Sequence, residues 1–348
     1  MLEQKQQPQN FGDIKPFDQK RYEFLRDMQA LFSEKRFAHV GHWRYSKPLF
    51  EGDKVNGLYY WNKMLKKAKA SGQYYIFSDE VELIQNTAQE IGEHLNSPIT
   101  LVDLGPGSEG AVRQKIAPLI QGVQKPITQY IGIDIAQAVL DSTRQIFAKE
   151  FPTIEYSDQN ADFFEQSLNL PQAPNVLMAI FGVTMFNLPI NPLDQNLGQK
   201  TMVGLLKKLR SNLKKGAHFI VTQDCNPDIE NIIESYKAQD DVWLNVLERI
   251  KRDLPVSDSF DADGFTFEPY WVPETYALCH TYVCKKDMSF LLGDRRFQLK
   301  SGQRFYLHNS YKYPRYYFCE LAKQAGFDIS LSKIHNAERM ALHLLEAK

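Results

Sequence analysis

Charge of one sign is absent from this 348-residue chain, in which 41 Lys and Arg oppose 42 Asp and Glu for a formal net charge of −1. A polyanion or an anionic membrane surface has no electrostatic claim on such a protein, and a small neutral or zwitterionic ligand suits it better. Cysteine is scarce as well. Cys225, Cys279, Cys284 and Cys319 are the whole set, with no C-x-x-C pair, so neither a zinc knuckle nor a disulfide framework is expected and the thiols read as reduced. No apolar run approaches the roughly 20 residues that span a bilayer. The opening MLEQKQQPQNFGDIKPF has no apolar stretch of a secretory signal. A cytoplasmic protein is expected, without nucleic-acid, membrane or metal partners. Its oligomeric state is left open, a monomer being the simplest case.

The chain is 43% hydrophobic, enough for a core domain carrying a second lobe. A glutamine-rich N-terminus reads as disordered over about ten residues. Tyr22, Leu25, Met28, Leu31 and Phe32 then recur at helical period, which predicts a helix over 18–37. An aromatic-rich block over 57–95 completes an N-terminal segment, 1–95, expected to contribute to a substrate pocket. From Ile99 onward, short apolar strands alternate with helical patterns, the signature of a parallel sheet wrapped by helices. Strands are predicted at ITLVDL, QYIGIDI, around 154–156, NVLMAIF and HFIVTQD, with helices through Val112 to Ile120, Val139 to Phe147 and 202–213. Two helices, 229–239 and 242–253, and β-rich sequence over about 277–310 then read as an inserted α+β substrate lobe, 226–310. A helix over 316–325 stops at Gly326, and FDISLSKI and RMALHLLEA can pair as an antiparallel closing hairpin. The expected core, 96–225 and 311–348, is a Rossmann-like, doubly wound α/β sheet.

The sharpest motif runs from Val102 to Gly110, VDLGPGSEG, between the first strand and its helix. Gly105, Gly107 and Gly110 would let the backbone pass close under a nucleoside. As a bare GxGxxG the run also fits NAD or FAD. Carboxylates turn the reading toward S-adenosylmethionine (SAM) and a class I methyltransferase. Asp103 lies two positions before the first glycine, where a dinucleotide enzyme needs no carboxylate so near a pyrophosphate. Asp134 ends the second strand, within reach of both ribose hydroxyls. Asp162 ends the third strand region, placed for the adenine amino group, with Phe163 to pack on the base. Each has a plain reading as a cap or strand-end residue; their common register with successive strand ends carries the functional one.

Two further segments bring a family into view: Gly182-Val183-Thr184-Met185-Phe186-Asn187-Leu188 after the fourth strand, and Ser301-Gly302-Gln303 through Asn309-Ser310-Tyr311-Lys312-Tyr313 near the end. From about Leu58 to the C-terminus the chain resembles the histidine-specific methyltransferases, whose type member trimethylates the α-amino group of L-histidine on the way to ergothioneine. Relatives in that family methylate other amino acids, including a prenylated tryptophan. The resemblance implies that Asn187 holds the substrate's α-amino group, with Gly182 and Thr184 shaping the same wall. Tyr236 is similar to the tyrosine that binds the carboxylate. Tyr60 and the pair Tyr74-Tyr75 resemble tyrosines that close over the amine, Tyr60 as a catalytic candidate and Tyr75 as a substrate contact. Ser310 resembles a serine that reads the side chain. The family's glutamate two positions earlier is replaced by His308, which accepts a hydrogen bond only as its neutral tautomer and repels a charged imidazole. His280 is a second pocket candidate, its plainer reading being a packed polar residue on a half-exposed strand.

Methyl transfer from a sulfonium needs a neutral amine held in line, roughly 3 to 3.5 Å from the methyl carbon. Loss of its proton to water, a tyrosine or a carboxylate suffices. The Asn187 carbonyl oxygen can orient that amine. The expected activity is SAM-dependent N-methylation of an amino acid, histidine or a related aromatic one. A different small amine or amino-acid derivative, a non-catalytic SAM-binding protein and an NAD-dependent dehydrogenase stand as alternatives.

Overall fold

The computed structural model describes residues 16–33, 57–71, 74–182, 184–188, 194–237 and 239–348. The glutamine-rich N-terminus, the end of the first expected helix at 34–37, and Val183 lie outside the described residues.

Three helices come first: α1 (Pro16–Leu31), α2 (Gly57–Ser71) and α3 (Tyr75–His94). The core follows as β1 (Ile99–Leu104), α4 (Glu109–Ala111), α5 (Ala117–Gly122), β2 (Ile127–Asp134), α6 (Gln137–Glu150), β3 (Glu155–Asn160), β4 (Val176–Ile180), α7 (Gln195–Ser211) and β5 (His218–Asp224). Next come α8 (Ile229–Lys237), α9 (Asp240–Asp253), β6 (Phe265–Val272), β7 (Ala277–Cys284), β8 (Met288–Leu292), β9 (Arg295–Leu299) and β10 (Arg304–Tyr311). The chain ends with α10 (Arg315–Gln324), β11 (Phe327–Ile334) and β12 (Met340–Ala347).

The main sheet runs β11-β12-β5-β4-β1-β2-β3. β1 to β5 are parallel; β12 joins β5 antiparallel and β11 closes the hairpin. Every residue of β1, β4 and β5 is buried, as expected of strands covered on both faces. The edge strand β3 is only half-buried and polar, which is why its apolar signal is weak. Chain direction across the sheet switches between β1 and β4, so a crevice opens beyond their carboxyl ends, the customary ligand position in such sheets.

A three-stranded sheet, β10-β7-β6, and the β8-β9 hairpin form the second β unit. Its β6 begins at Phe265, twelve residues before the expected β-rich stretch at 277. Pro269 hides that strand in sequence; lacking an N–H, it is tolerated because β6 is an edge. β10 also runs one residue beyond the expected lobe boundary, to Tyr311.

The apolar residues fall into two clusters. The larger joins α2, α3 and the main sheet. The smaller gathers Phe24, Met28, Leu31 and Phe32 with Trp243, Phe265, Phe290 and Phe305, so α1 packs on α9 and the second β unit. Phe32 sits at its centre, with ring centroids 5.3 to 6.3 Å from Phe260, Phe265, Phe290, Phe297 and Phe305. Tyr22, expected on the buried face of α1, is instead 64% exposed, because Phe24, Met28 and Leu31 define that face. Among the described residues, no helix is long and apolar enough to cross a membrane.

Candidate active site

The β1 turn is built for a close approach. Gly105 and Gly107 adopt φ +78° and +74°, a region costly for any residue with a Cβ. Neighbouring side chains would leave room for one: a Cβ on Gly105 would lie 3.9 Å from Phe163 and one on Gly107 3.6 Å from Ala111. Backbone conformation, not crowding within the protein, is what requires glycine here. Ser108 then caps the helix, its Oγ accepting from Ala111 N–H at 3.3 Å. The helix continues through a π-helical turn, Val112–Ile116, which carries Lys115 inward. Such turns recur at functional sites.

A cavity of about 940 Å³ opens beyond the strand ends. Asp103, Gly105, Gly107, Asp134, Asp162 and Phe163 line one part of it, and Gly182, Thr184, Asn187, Tyr236, His280 and His308 line the rest. Gly110 is off the lining. It lies within the first helical turn, where a Cβ would make ordinary contacts of 3.7 Å. Tyr60, Tyr75 and Ser310 are likewise off it, and their places go to neighbours. On α2 the lining residues are Trp61 and Leu65, one turn apart, while Tyr60 meets Tyr59 edge-on at 5.3 Å. Of the tyrosine pair, Tyr74 lines the cavity. Tyr75 points away and donates to Asp224 Oδ1 at 2.9 Å. Ser310 is fully buried, its hydroxyl 3.3 Å from that of Tyr236.

Asp103 is buried against Tyr130, whose hydroxyl donates to its Oδ2 at 2.7 Å. Burial pushes its carboxyl up to about 7. The Tyr130 hydrogen bond and the Lys115 cation act against that rise, while the Asp134 charge adds to it. Asp134 Oδ1 accepts from Ala136 N–H at 2.8 Å, which orients the carboxylate at the strand tip. Asp162 Oδ1 accepts from Phe164 N–H at 2.9 Å and so shapes the turn that presents Phe163.

The loop after β4 is anchored by what it buries. Met185 and Phe186 are fully buried, Phe186 packing 5.1 Å from Phe318, which leaves Thr184 and Asn187 on the cavity side. Gly182 has φ +74°, and its N–H donates to Glu80 Oε1 at 2.6 Å. Glu80, fully buried on α3, also accepts from the Thr222 hydroxyl and pairs with Lys115. This carboxylate ties α3, the loop after β4, β5 and the π-helical turn together on the cavity wall. Sequence reasoning missed it, since a single Glu in a helix carries no motif. Only its spacing with Ile76, four residues earlier on the same buried face, marks it.

His280 and His308 face each other across β7 and β10, ring centroids 5.4 Å apart, and both are buried. The half-exposed strand expected around His280 is instead the buried centre of the smaller sheet. His280 Nδ1 lies 3.3 Å from the His308 carbonyl oxygen, so Nδ1 is the protonated nitrogen of that contact. Its ring packs 5.2 Å from Tyr236 and 4.9 Å from Trp243.

The residues present fit SAM. Left-handed glycines stand under the cleft, a carboxylate is fixed at the β2 tip, and an aromatic ring follows β3. With the doubly wound sheet and its antiparallel hairpin, they define a class I SAM-dependent methyltransferase, and the protein is an enzyme of that kind. Residues 54–347 match the family described as histidine-specific, SAM-dependent methyltransferases, and the chain belongs to it. It is 26% identical over 257 residues to an uncharacterized protein, y4iF, of Sinorhizobium fredii, covering 73% of this chain and 82% of that one. It is 24% identical over 270 residues to the N-methyltransferase fsqC of Aspergillus fumigatus, covering 74% and 69%. A SAM-dependent methyltransferase from Clostridium acetobutylicum superposes over 82% of this chain and 98% of its own, with a TM-score of 0.43 and 14% identity.

Proposed function

We propose that the enzyme methylates the α-amino nitrogen of an amino acid with an aromatic or imidazole side chain. The observation that carries this reading is the placement of Asn187 and Tyr236 on the same cavity as Gly105, Gly107 and Asp134. A non-catalytic SAM-binding protein would need the second group of residues but not the first.

Bound in the glycine cleft, SAM supplies a methyl group already activated by its sulfonium. The protein's own task is positioning. Asn187, held by its N–H to Thr184 O at 3.2 Å, offers an amide oxygen that accepts from the amine and orients its lone pair without fixing a positive charge. Tyr236 offers a phenol to the carboxylate. The aromatic wall of Trp61 and Tyr74 excludes water from the amine, 6.3 Å separating the two rings. No base with a shifted pKa is required, because the amine can lose its proton to water before it is enclosed.

The side-chain end of the site favours an acceptor other than charged histidine. Two buried imidazoles, His280 and His308, lie alongside each other there with ring centroids 5.4 Å apart, a wall against which a further cationic ring is disfavoured. This wall suits a neutral aromatic side chain, such as indole, phenol or neutral imidazole. The protein is taken to work in the cytoplasm on a small molecule. The test is a screen of the twenty amino acids with SAM, following S-adenosylhomocysteine release and the mass of the product. Methylation of at least one aromatic amino acid or histidine at nitrogen is expected, and exclusive transfer to oxygen or sulfur acceptors would refute the reading.

A further inference from the structure

Behind Tyr236 lies an ion pair that the reading above does not use. Lys312 Nζ is 2.7 Å from Asp224 Oδ2, with neither side chain exposed. The same ammonium donates to the Tyr236 hydroxyl at 2.7 Å and lies 4.7 Å from the centre of its ring. Asp224, at the end of β5, is held in place by Tyr75 O–H at 2.9 Å and Asn226 N–H at 3.3 Å. Burial works to lower the Lys312 pKa, but the Asp224 carboxylate and the Tyr236 hydroxyl outweigh it and hold the ammonium above its ordinary value. The cation therefore persists in the buried site.

An ammonium donates and never accepts. The Tyr236 oxygen must accept from it, which leaves the phenol's own hydrogen for donation. The Ser310 hydroxyl lies 3.3 Å away, long for a hydroxyl pair, and either oxygen can be the donor of that contact. An acceptor in the cavity can compete for that hydrogen. The pair as a whole is neutral, but Lys312 stands between Asp224 and the phenol, so its positive end faces the cavity-lining ring. Donation through a polarised phenol is stronger than donation from an isolated one.

We infer that Lys312 is a positioning residue that commits Tyr236 to donate into the cavity, so that this end of the site selects acceptors carrying a carboxylate over the corresponding amines. The inference rests on the amino-acid reading above. A merely structural role for Lys312, tethering α8 to the segment after β10, would lower stability without changing that selectivity.

The test uses the full chain with SAM and compares L-histidine, L-tyrosine and L-tryptophan with histamine, tyramine and tryptamine. D224N/K312M removes both charges together and leaves no buried ion unpaired. K312Q keeps a donor without the charge. Wild type is expected to prefer the amino acid of each pair it turns over. In D224N/K312M the amino-acid KM should rise roughly ten- to hundredfold, with kcat within about threefold and the amine KM nearly unchanged. K312Q should fall between, and S-adenosylhomocysteine affinity should hold in both. Unchanged selectivity in a variant that still binds S-adenosylhomocysteine overturns the role of Lys312 alone. Should the double variant fail to bind it, K312Q is judged by the same criterion. A wild-type preference for the amines overturns the amino-acid reading and this inference together.

Discussion

Asp103→Asn separates two consequences of one buried carboxyl. With its pKa near 7 in the folded chain against 3.8 for an ordinary aspartate, Asp103 keeps a proton that the unfolded chain releases above pH 4. The folded state then binds more protons than the unfolded state between pH 4 and 7, so stability declines as pH rises through that window and levels off above it. The slope is about 1.4 kcal/mol per pH unit and the whole decline about 4 kcal/mol, an upper figure. Ligand binding should run the other way. If the ionised carboxylate meets the cationic amino-acid portion of the cofactor, its ionised fraction rises from about 0.1 at pH 6 to about 0.9 at pH 8, and affinity rises about tenfold. The asparagine variant still accepts from Tyr130 but cannot ionise, so both slopes should flatten. Urea unfolding and calorimetric titration with S-adenosylhomocysteine at pH 5, 6, 7 and 8 supply the measurements. Subtracting variant from wild type removes the titration of every other group. Parallel profiles for the two proteins would show that Asp103 does not titrate in this range.

Asn187→Ala is expected to lower kcat at least about a hundredfold while S-adenosylhomocysteine affinity stays near wild type, and comparable turnover would remove Asn187 from the mechanism. Glu80→Gln leaves the buried Lys115 without its counter-ion and should cost about 3 kcal/mol by urea unfolding, with E80Q/K115M recovering part of the loss. A wild-type midpoint in E80Q would contradict the pairing. Phe32→Ala empties the centre of the smaller apolar cluster and should cost about 3 to 5 kcal/mol. Because that cluster is separate from the glycine cleft, S-adenosylhomocysteine affinity should change little, and a large loss would mean that α1 supports the cofactor site.

Local sequence was enough to find the residues that line the glycine-turn part of the cavity. A buried strand with Asp103 as its penultimate residue, a turn whose conformation only glycine adopts without strain, Asp134 at the end of β2 and Asp162 two residues beyond β3 all follow from periodicity and residue chemistry within short windows. The parallel core and its closing hairpin were legible for the same reason: strands covered on both faces must be continuously apolar. Where a strand has a polar face or a proline, as in β3 and β6, that signal fails and the bounds shift.

Tertiary structure decided the rest, because it depends on which distant residues meet. Trp61 and Tyr74, not Tyr60 and Tyr75, reach the cavity: on α2 a one-residue step turns a side chain by about 100°, Tyr74 precedes the first turn of α3, and local aromatic content fixes neither direction. The pairing of Glu80 with Lys115, and of Asp224 with Lys312 behind Tyr236, joins segments up to 88 residues apart in contacts that no local pattern records. Burial then sets what these groups do: it raises the carboxyl of Asp103 and strengthens each ion pair by excluding water, and burial is a property of the folded chain alone.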